Sequence, residues 1–123
     1  MRIAITGAGG FIGRHLAASL PEAVPLSHRA IPALDGRQFD LVIHAGRSPG
    51  IGRTDWLLAD DAEHLLLRRL AGSSCRYLML SSRAVYGQAG NDALTPGHAT
   101  APASAYGCNK LRLEQAGRDL LGE

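Results

Sequence analysis

Residues 2–13 read RIAITGAGGFIG, and this stretch decides the fold class. Its apolar start, residues 2–6, has strand character, and residues 11–20 show helical spacing that ends at Pro21. A glycine turn between a strand and a helix can cradle phosphate, because the backbone approaches a pyrophosphate closely and the helix start offers free N–H groups. We therefore predict dinucleotide binding, with an unliganded glycine turn as the alternative. The spacing GxxGxxG rests on Gly7, Gly10 and Gly13.

The rest of the chain alternates between strand and helix patterns, which is typical of an α/β protein with a parallel sheet. Pro25 weakens the second strand, because proline cannot donate a hydrogen bond and belongs at a sheet edge or a strand start. Thr54 is the predicted cap of a long helix that stops at Gly72, and a loop containing Gly90 leads to the last helix. We predict strands at residues 23–27, 39–45 and 76–80, and helices at residues 54–71 and 104–121.

The end of the second strand bears on the choice of cofactor. An acidic residue there would bind the adenosine ribose hydroxyls, whereas an arginine would accommodate a 2′-phosphate. The strand runs into Ser27, His28 and Arg29, and no carboxylate follows until Asp35. This pattern favours NADP over NAD, although Arg29 also fits a solvated loop residue.

The loop after the third strand, residues 46–53, is expected to border the cofactor. Ligands of parallel sheets bind beyond the carboxyl ends of the strands, and this loop begins at such an end. Arg47 and Arg53 each have two interpretations, contact with a phosphate or simple solvation. His44 closes the strand itself, and we predict that it is packed and not catalytic.

Lys110 is the one lysine of the chain, beside twelve arginines. It follows Tyr106 by four residues, so the two side chains share a helix face. A nearby ammonium favours the phenolate form, which lets a tyrosine exchange protons near neutral pH. Ser82 follows the fourth strand at the same rim of the sheet, and its hydroxyl suits a carbonyl oxygen. The alternative is a surface lysine beside a packed tyrosine.

Composition narrows the class of protein. The 123 residues suffice for one domain, and 46% hydrophobic with 20% charged residues is ordinary for a soluble globular protein. A net charge of +2 with scattered arginines predicts no nucleic-acid partner. Cys75 and Cys108 lack a CxxC or a histidine pair, so we expect buried or partly buried free thiols and neither a disulfide nor a metal site. The chain start lacks a signal-peptide pattern and no apolar run reaches membrane-spanning length, so we expect a cytoplasmic protein without a membrane partner.

Four motifs occur in order along the chain: TGAGGFIG at residues 6–13, DLVIHA at 40–45, SSRAVYG at 81–87 and YGCNK at 106–110. Together they resemble the extended short-chain dehydrogenase/reductase family, the NAD(P)-dependent epimerase/dehydratase group that acts mainly on nucleotide sugars. The resemblance implies an oxidoreductase, epimerase or dehydratase that transfers a hydride with NADP or NAD. It implies that Ser82 is the catalytic hydroxyl, that Tyr106 is the general acid/base, and that Lys110 binds the nicotinamide ribose.

The resemblance further implies a Rossmann-type, doubly wound parallel sheet of about four strands in the order 3-2-1-4. Glu114, one turn after Lys110, is interpreted as a structural partner of that lysine. The implied cofactor site joins the glycine turn to the ends of the later strands and the last helix, at Gly7, Gly10, Phe11, Ile12, Gly13, Arg29, Ala45, Gly46, Ser81, Tyr106 and Lys110.

Members of this family are considerably longer than 123 residues. We therefore interpret residues 1–123 as an NAD(P)-binding Rossmann domain, truncated after the catalytic helix and without the C-terminal region that grips the substrate. Two functions stay open: an enzyme acting on a nucleotide sugar, and a non-catalytic dinucleotide-binding module serving as a sensor or an assembly subunit. An uncovered fourth strand would expose Leu78 and Leu80 at a sheet edge, so we also expect self-association as a homo-oligomer.

Overall fold

The computed structural model describes residues 1–87 and 94–122, and Gly90 of the predicted loop lies outside them. Within these ranges the chain forms an α/β fold of four strands and three α-helices, joined in part by short 3-10 turns. The elements are β1 Ile3–Thr6, α1 Phe11–Ser19, β2 Val24–Leu26, β3 Leu41–His44, α2 Ala62–Leu70, β4 Arg76–Met79 and α3 Ala105–Leu121.

The strands form one parallel sheet, as predicted, but the predicted order 3-2-1-4 is wrong: the order is β2-β1-β3-β4. Pro25 of β2 lies opposite Ile5 of β1 and has no N–H, so β2 suits an edge and cannot fully pair on both sides. Val42 and Ile43 of β3 are both buried, one towards each face of the sheet. β3 pairs with β1 on one side and with β4 on the other, so it lies between them.

One face of the sheet packs against α2. Ala4 of β1 and Val42 of β3 are paired in the ladder and fully buried, together with Leu66 and Leu70 of α2. Burying a leucine side chain stabilises the fold by roughly 1.5–3 kcal/mol. Towards the carboxyl ends of the strands, the same face continues with three residues in register: Thr6, His44 and Met79.

The start of α2 differs from the prediction of a helix from Thr54. A 3-10 turn at Leu58–Asp60 comes first, and α2 begins only at Ala62. Asp61 is the cap, because its side chain accepts a hydrogen bond from the backbone N–H of Glu63 at 2.8 Å. The same carboxylate accepts from the indole N–H of Trp56, also at 2.8 Å, which fixes the chain before the helix. Gly72 follows the helix with a positive φ of 79°, as expected of a stop.

The other face of the sheet is only partly covered. Ile5 and Ile43 are buried there, and α1 packs near β1. Leu78 of β4, opposite Ile43 in the ladder, is 44% exposed. β4 is an edge strand, as the sequence predicted.

Three further properties follow from the described residues. Cys75 is a buried free thiol, as predicted, whereas Cys108 is a free thiol that is exposed and not buried or partly buried. None of the helices within residues 1–87 and 94–122 is long and apolar enough to cross a membrane. In the same ranges, no group of three or more His, Cys, Asp or Glu side chains is arranged to hold a metal ion.

Candidate functional site

A groove of about 1040 Å³ lies beyond the carboxyl ends of β1, β2 and β3. This is the position at which open parallel sheets bind ligands. The groove is lined by the glycine turn after β1, by the end of β2 and by the loop after β3. Among the residues predicted to bind a cofactor, it brings together Gly7, Gly10, Phe11, Ile12, Ala45 and Gly46.

The glycine turn is shaped by two close backbone approaches. Gly7 has a φ of 74°, and a Cβ at this position would overlap the backbone of Gly46. Gly13, buried in the first turn of α1, lies so close to Gly7 that a Cβ there would overlap its carbonyl oxygen. The two glycines therefore hold the turn, the loop after β3 and α1 together. The turn between these two glycines lines the groove, and we call it the cradle.

The start of α1 faces this cradle with its backbone amides. Gly10 is the N-cap residue, and the described helix carries neither a side-chain cap nor an acidic residue in its first turn. The first N–H groups of a helix have no partner within the helix, and the helix dipole is positive at this end. The arrangement suits a diphosphate.

The end of β2 supplies Ser27 and His28 to the groove. Arg29, the residue predicted to accommodate a 2′-phosphate, is exposed in a 3-10 turn and is not among the described lining residues. Asp35 lies farther along, where its carboxylate pairs with Arg37 at 2.9 Å and caps the next turn. The lining of this end of the groove is thus free of carboxylates among the described residues.

Tyr106 lies in the first turn of α3, which Ser104 caps by accepting from the N–H of Gly107 at 3.0 Å. The guanidinium carbon of Arg47 lies 5.0 Å from the centre of the Tyr106 ring, within the range of a cation–π contact. Arg47 also lines the groove. Neither earlier interpretation of Arg47 included this contact, which connects Tyr106 to the groove and sets a cation beside its ring.

Lys110 is buried, with 6% of its surface exposed, although the alternative interpretation made it a surface residue. Its ammonium donates a hydrogen bond to the carbonyl oxygen of Leu80 at 2.9 Å. The carboxylate at ion-pair distance is Glu63 of α2, at 3.5 Å. Glu114, the predicted partner, instead accepts a hydrogen bond from the hydroxyl of Ser81.

Glu63 is the residue that the sequence analysis missed. It accepts a hydrogen bond from the Tyr77 hydroxyl at 2.5 Å and lies 3.9 Å from Nε2 of His44. The missed signal was its spacing: Glu63 precedes Leu66, Leu67 and Leu70 by three, four and seven residues, so it lies on the apolar stripe of α2.

Burial shifts the pKa values of two neighbours of Glu63 in opposite directions. Desolvation, together with the negative charge of Glu63, raises the pKa of Tyr77 far above its usual value, so its hydroxyl stays a hydrogen-bond donor. Desolvation lowers the pKa of His44, and the charge of Glu63 only partly opposes this. His44 also contacts the Thr6 hydroxyl through Nδ1 at 2.7 Å, which agrees with a packed histidine.

Ser82 caps the short 3-10 turn at Arg83–Tyr86 by accepting from the N–H of Ala84 at 3.1 Å. A hydroxyl that accepts one hydrogen bond can still donate another, so this bond is compatible with holding a substrate oxygen. Ser81, Ser82, Tyr106 and Lys110 are not among the lining residues of the groove in the described part of the chain. They lie around the end of β4 and the start of α3, which contacts the Arg83–Tyr86 turn.

Comparison with solved structures gives extensive fold matches. A dTDP-4-dehydrorhamnose reductase from Clostridium acetobutylicum matches with a TM-score of 0.81 at 20% identity, over 98% of this chain and 50% of that one. The same enzyme from Bacillus anthracis, in complex with NADP, gives 0.77 at 20% identity, over 98% and 50%. A variant UDP-glucuronic acid 4-epimerase from Bacillus cereus, in complex with NAD and a fluorinated UDP-sugar, gives 0.75 at 22% identity, over 98% and 52%.

These likenesses confirm the Rossmann-type α/β fold. The chain spans about half the length of each of these structures. No protein-family model matches the chain, and a search of curated proteins finds no match either.

Proposed function

We propose that this chain binds NADP or NAD in the groove, as the dinucleotide-binding part of an extended short-chain dehydrogenase/reductase of the epimerase/dehydratase group. The observation that carries the proposal is the cradle formed by Gly7 and Gly13 at the start of α1. Added Cβ atoms at these glycines would overlap backbone, so the close backbone packing around the turn depends on them. The diphosphate would bind the free N–H groups of α1.

The cofactor preference that we propose is NADP over NAD. Ser27 and His28 line the groove at the end of β2, and both can donate hydrogen bonds to a 2′-phosphate. Among the described residues, the groove lining there holds no carboxylate that would bind ribose hydroxyls. In this proposal His28 has the role that was predicted for Arg29.

The proposed reaction is hydride transfer on a nucleotide sugar. The nicotinamide, when bound, would supply or accept the hydride. Tyr106 would move the proton to or from the substrate oxygen, and the Arg47 guanidinium lies beside its ring. Ser82 would donate a hydrogen bond to the same oxygen, and the buried ammonium of Lys110 would bind the nicotinamide ribose.

A second candidate function is a dinucleotide-binding module without chemistry. One observation favours it: the Lys110 ammonium already has two protein partners, the Glu63 carboxylate and the carbonyl oxygen of Leu80. Such a module would bind the dinucleotide in the same groove and turn over no substrate.

Replacement of the tyrosine tests the catalytic proposal. Tyr106→Phe removes the phenol oxygen and keeps the ring over which Arg47 lies, so dinucleotide affinity should stay within about twofold. Turnover of UDP-glucuronic acid or a dTDP-4-keto sugar should fall by about 10²-fold or more, the usual contribution of positioned acid/base catalysis. Undiminished turnover in the variant contradicts the role of Tyr106. A wild-type chain that binds the dinucleotide but turns over none of these substrates supports the module.

A further inference from the structure

Glu63 is a buried carboxylate among partners from several elements. It lies in the first turn of α2 with 3% of its surface exposed. Burying an ionised carboxylate is costly unless hydrogen bonds and opposite charge compensate it. Two groups supply this compensation, the Tyr77 hydroxyl of β4 and the Lys110 ammonium of α3, and the His44 imidazole of β3 lies 3.9 Å away.

The cap of α2 does not depend on the side chain of Glu63. Asp61 already caps the helix and accepts the backbone N–H of Glu63. The neighbouring buried positions on the same stripe are leucines, which stabilise a helix face without a desolvation cost. A carboxylate on this stripe therefore points to a task outside the helix.

We propose that Glu63 is a positioning residue for Lys110: its carboxylate holds the ammonium at the carbonyl oxygen of Leu80, where β4 ends, and keeps it oriented. The role rests on the proposed function. In that function, two N–H groups of the Lys110 ammonium face Leu80 and Glu63, and the third would donate a hydrogen bond to the nicotinamide ribose. Lysine has a long, flexible stem, so an unpaired ammonium would sample many rotamers. The carbonyl oxygen of Leu80 and the carboxylate of Glu63, 2.9 Å and 3.5 Å from the ammonium, restrict the side chain to one rotamer.

Tyr77 fixes the carboxylate in turn. Its hydroxyl donates to Oε1 of Glu63, whereas Lys110 and His44 lie near Oε2. The two oxygens thus have different partners, and rotation of the carboxylate would break both sets of contacts. The raised pKa of Tyr77 keeps this donor protonated across the pH range of an experiment.

A nuclear magnetic resonance experiment tests the ion pair without substrate. Lys110 is the chain's one lysine, so protein labelled with [¹⁵N]lysine at Nζ gives a single side-chain signal. We expect a visible ammonium signal near neutral pH, because a buried, hydrogen-bonded ammonium exchanges slowly with water. Glu63→Gln should remove or shift this signal, and the matched surface variant Glu22→Gln should not. A wild-type signal lost to fast exchange, or one unchanged in Glu63→Gln, overturns the proposal.

A double-mutant cycle tests the positioning role. Glu63→Gln should weaken NADPH binding about fivefold or more in the wild-type background. In the Lys110→Met background the same replacement should change the dissociation constant less than twofold, because Glu63 would act through the absent ammonium. An equal loss in both backgrounds would show a merely structural carboxylate and overturn the proposal.

The two experiments separate this proposal from the proposed function. If wild-type protein binds neither NADPH nor NADH, the proposed function fails, and the positioning role fails with it even where the ammonium signal is protected. If wild-type protein binds a dinucleotide and the cycle shows no coupling, only the role of Glu63 fails. Should Glu63→Gln not fold, the wild-type ammonium signal decides alone.

Discussion

His44, at the end of β3, is a buried residue whose ionisation affects the stability of the site. Desolvation lowers the pKa of its imidazole below the ordinary value, against the opposing charge of Glu63. A lowered pKa means that the folded state binds a proton less readily than the unfolded state. Stability is therefore fully present above the unfolded pKa of about 6.5 and declines as the pH falls through and below it.

The free energy of unfolding should accordingly decrease between pH 7.5 and pH 5. His44→Asn should reduce this decrease, because the variant has no imidazole to protonate. Part of the decrease should persist, since partial burial also lowers the pKa of His64. Urea titrations at several pH values measure the slope. His98→Asn, at an exposed position, is the control and should keep the wild-type slope; a His44→Asn slope equal to it would contradict this account.

Lys110 and Tyr106 show which residue properties the sequence could predict. Their spacing in the helix predicted a shared face, and α3 does contain both residues. Helical spacing says nothing about the elements on the opposite side, which supply Arg47 to Tyr106 and Glu63 to Lys110. These partners lie dozens of residues away in the chain, so only the folded structure reveals them.

At the scale of elements, the glycine turn joins β1, α1 and the loop after β3. Gly7→Ala should destabilise the fold by about 2 kcal/mol or more, because the positive φ alone costs about 1–3 kcal/mol and the added methyl group would overlap the backbone of Gly46. Gly9→Ala in the same turn is the matched control, since an added Cβ there meets nothing within 4 Å. Its change should stay within about 0.5 kcal/mol. Chemical denaturation measures both variants; equal stability of the two would refute the packing argument.

Helix ends that depend on residues close in sequence could be predicted. The start of α2 and the order of the strands depend on contacts between distant residues and could not. The end of α1 before Pro21 and the end of α2 at Gly72 follow from backbone chemistry close in sequence. The start of α2 was misjudged, because Asp61 is a better cap than Thr54 once Trp56 binds its carboxylate. The strand order was misjudged although Pro25 itself favours an edge position for β2.

At the scale of the whole molecule, the open edge at β4 leads to a prediction of self-association. An edge strand presents unpaired N–H and C=O groups, and exposed Leu78 adds an apolar surface beside them. Leu78→Lys should weaken the association by adding a charge at the edge. Leu57→Lys is the control, since Leu57 is 62% exposed but lies outside the sheet.

Sedimentation velocity over a range of concentrations measures this association. We expect the wild-type chain and Leu57→Lys to shift to larger species as the concentration rises, and Leu78→Lys to shift less. A wild-type chain that stays monomeric at high concentration would contradict the prediction.

The groove also belongs to the whole molecule, because β2, β3, α1, α2 and the segments after β1, β2 and β3 all contribute to its lining. We propose that a nicotinamide dinucleotide binds there with the diphosphate at the start of α1. Gly9 lines the groove and has open space around it, so a side chain at this position reaches the groove without disturbing the fold. Gly9→Glu and Gly9→Gln differ by one negative charge and almost nothing in size, which isolates electrostatic repulsion of the diphosphate.

Calorimetric titration of these proteins with NADPH and NADH is the direct test of dinucleotide binding in the groove. We predict saturable binding by the wild-type chain, tighter for NADPH than for NADH. Gly9→Glu should bind at least about tenfold more weakly than Gly9→Gln, a difference of about 1.4 kcal/mol. Absence of saturable binding by the wild-type chain, or equal affinities of the two Gly9 variants, would contradict the proposed site.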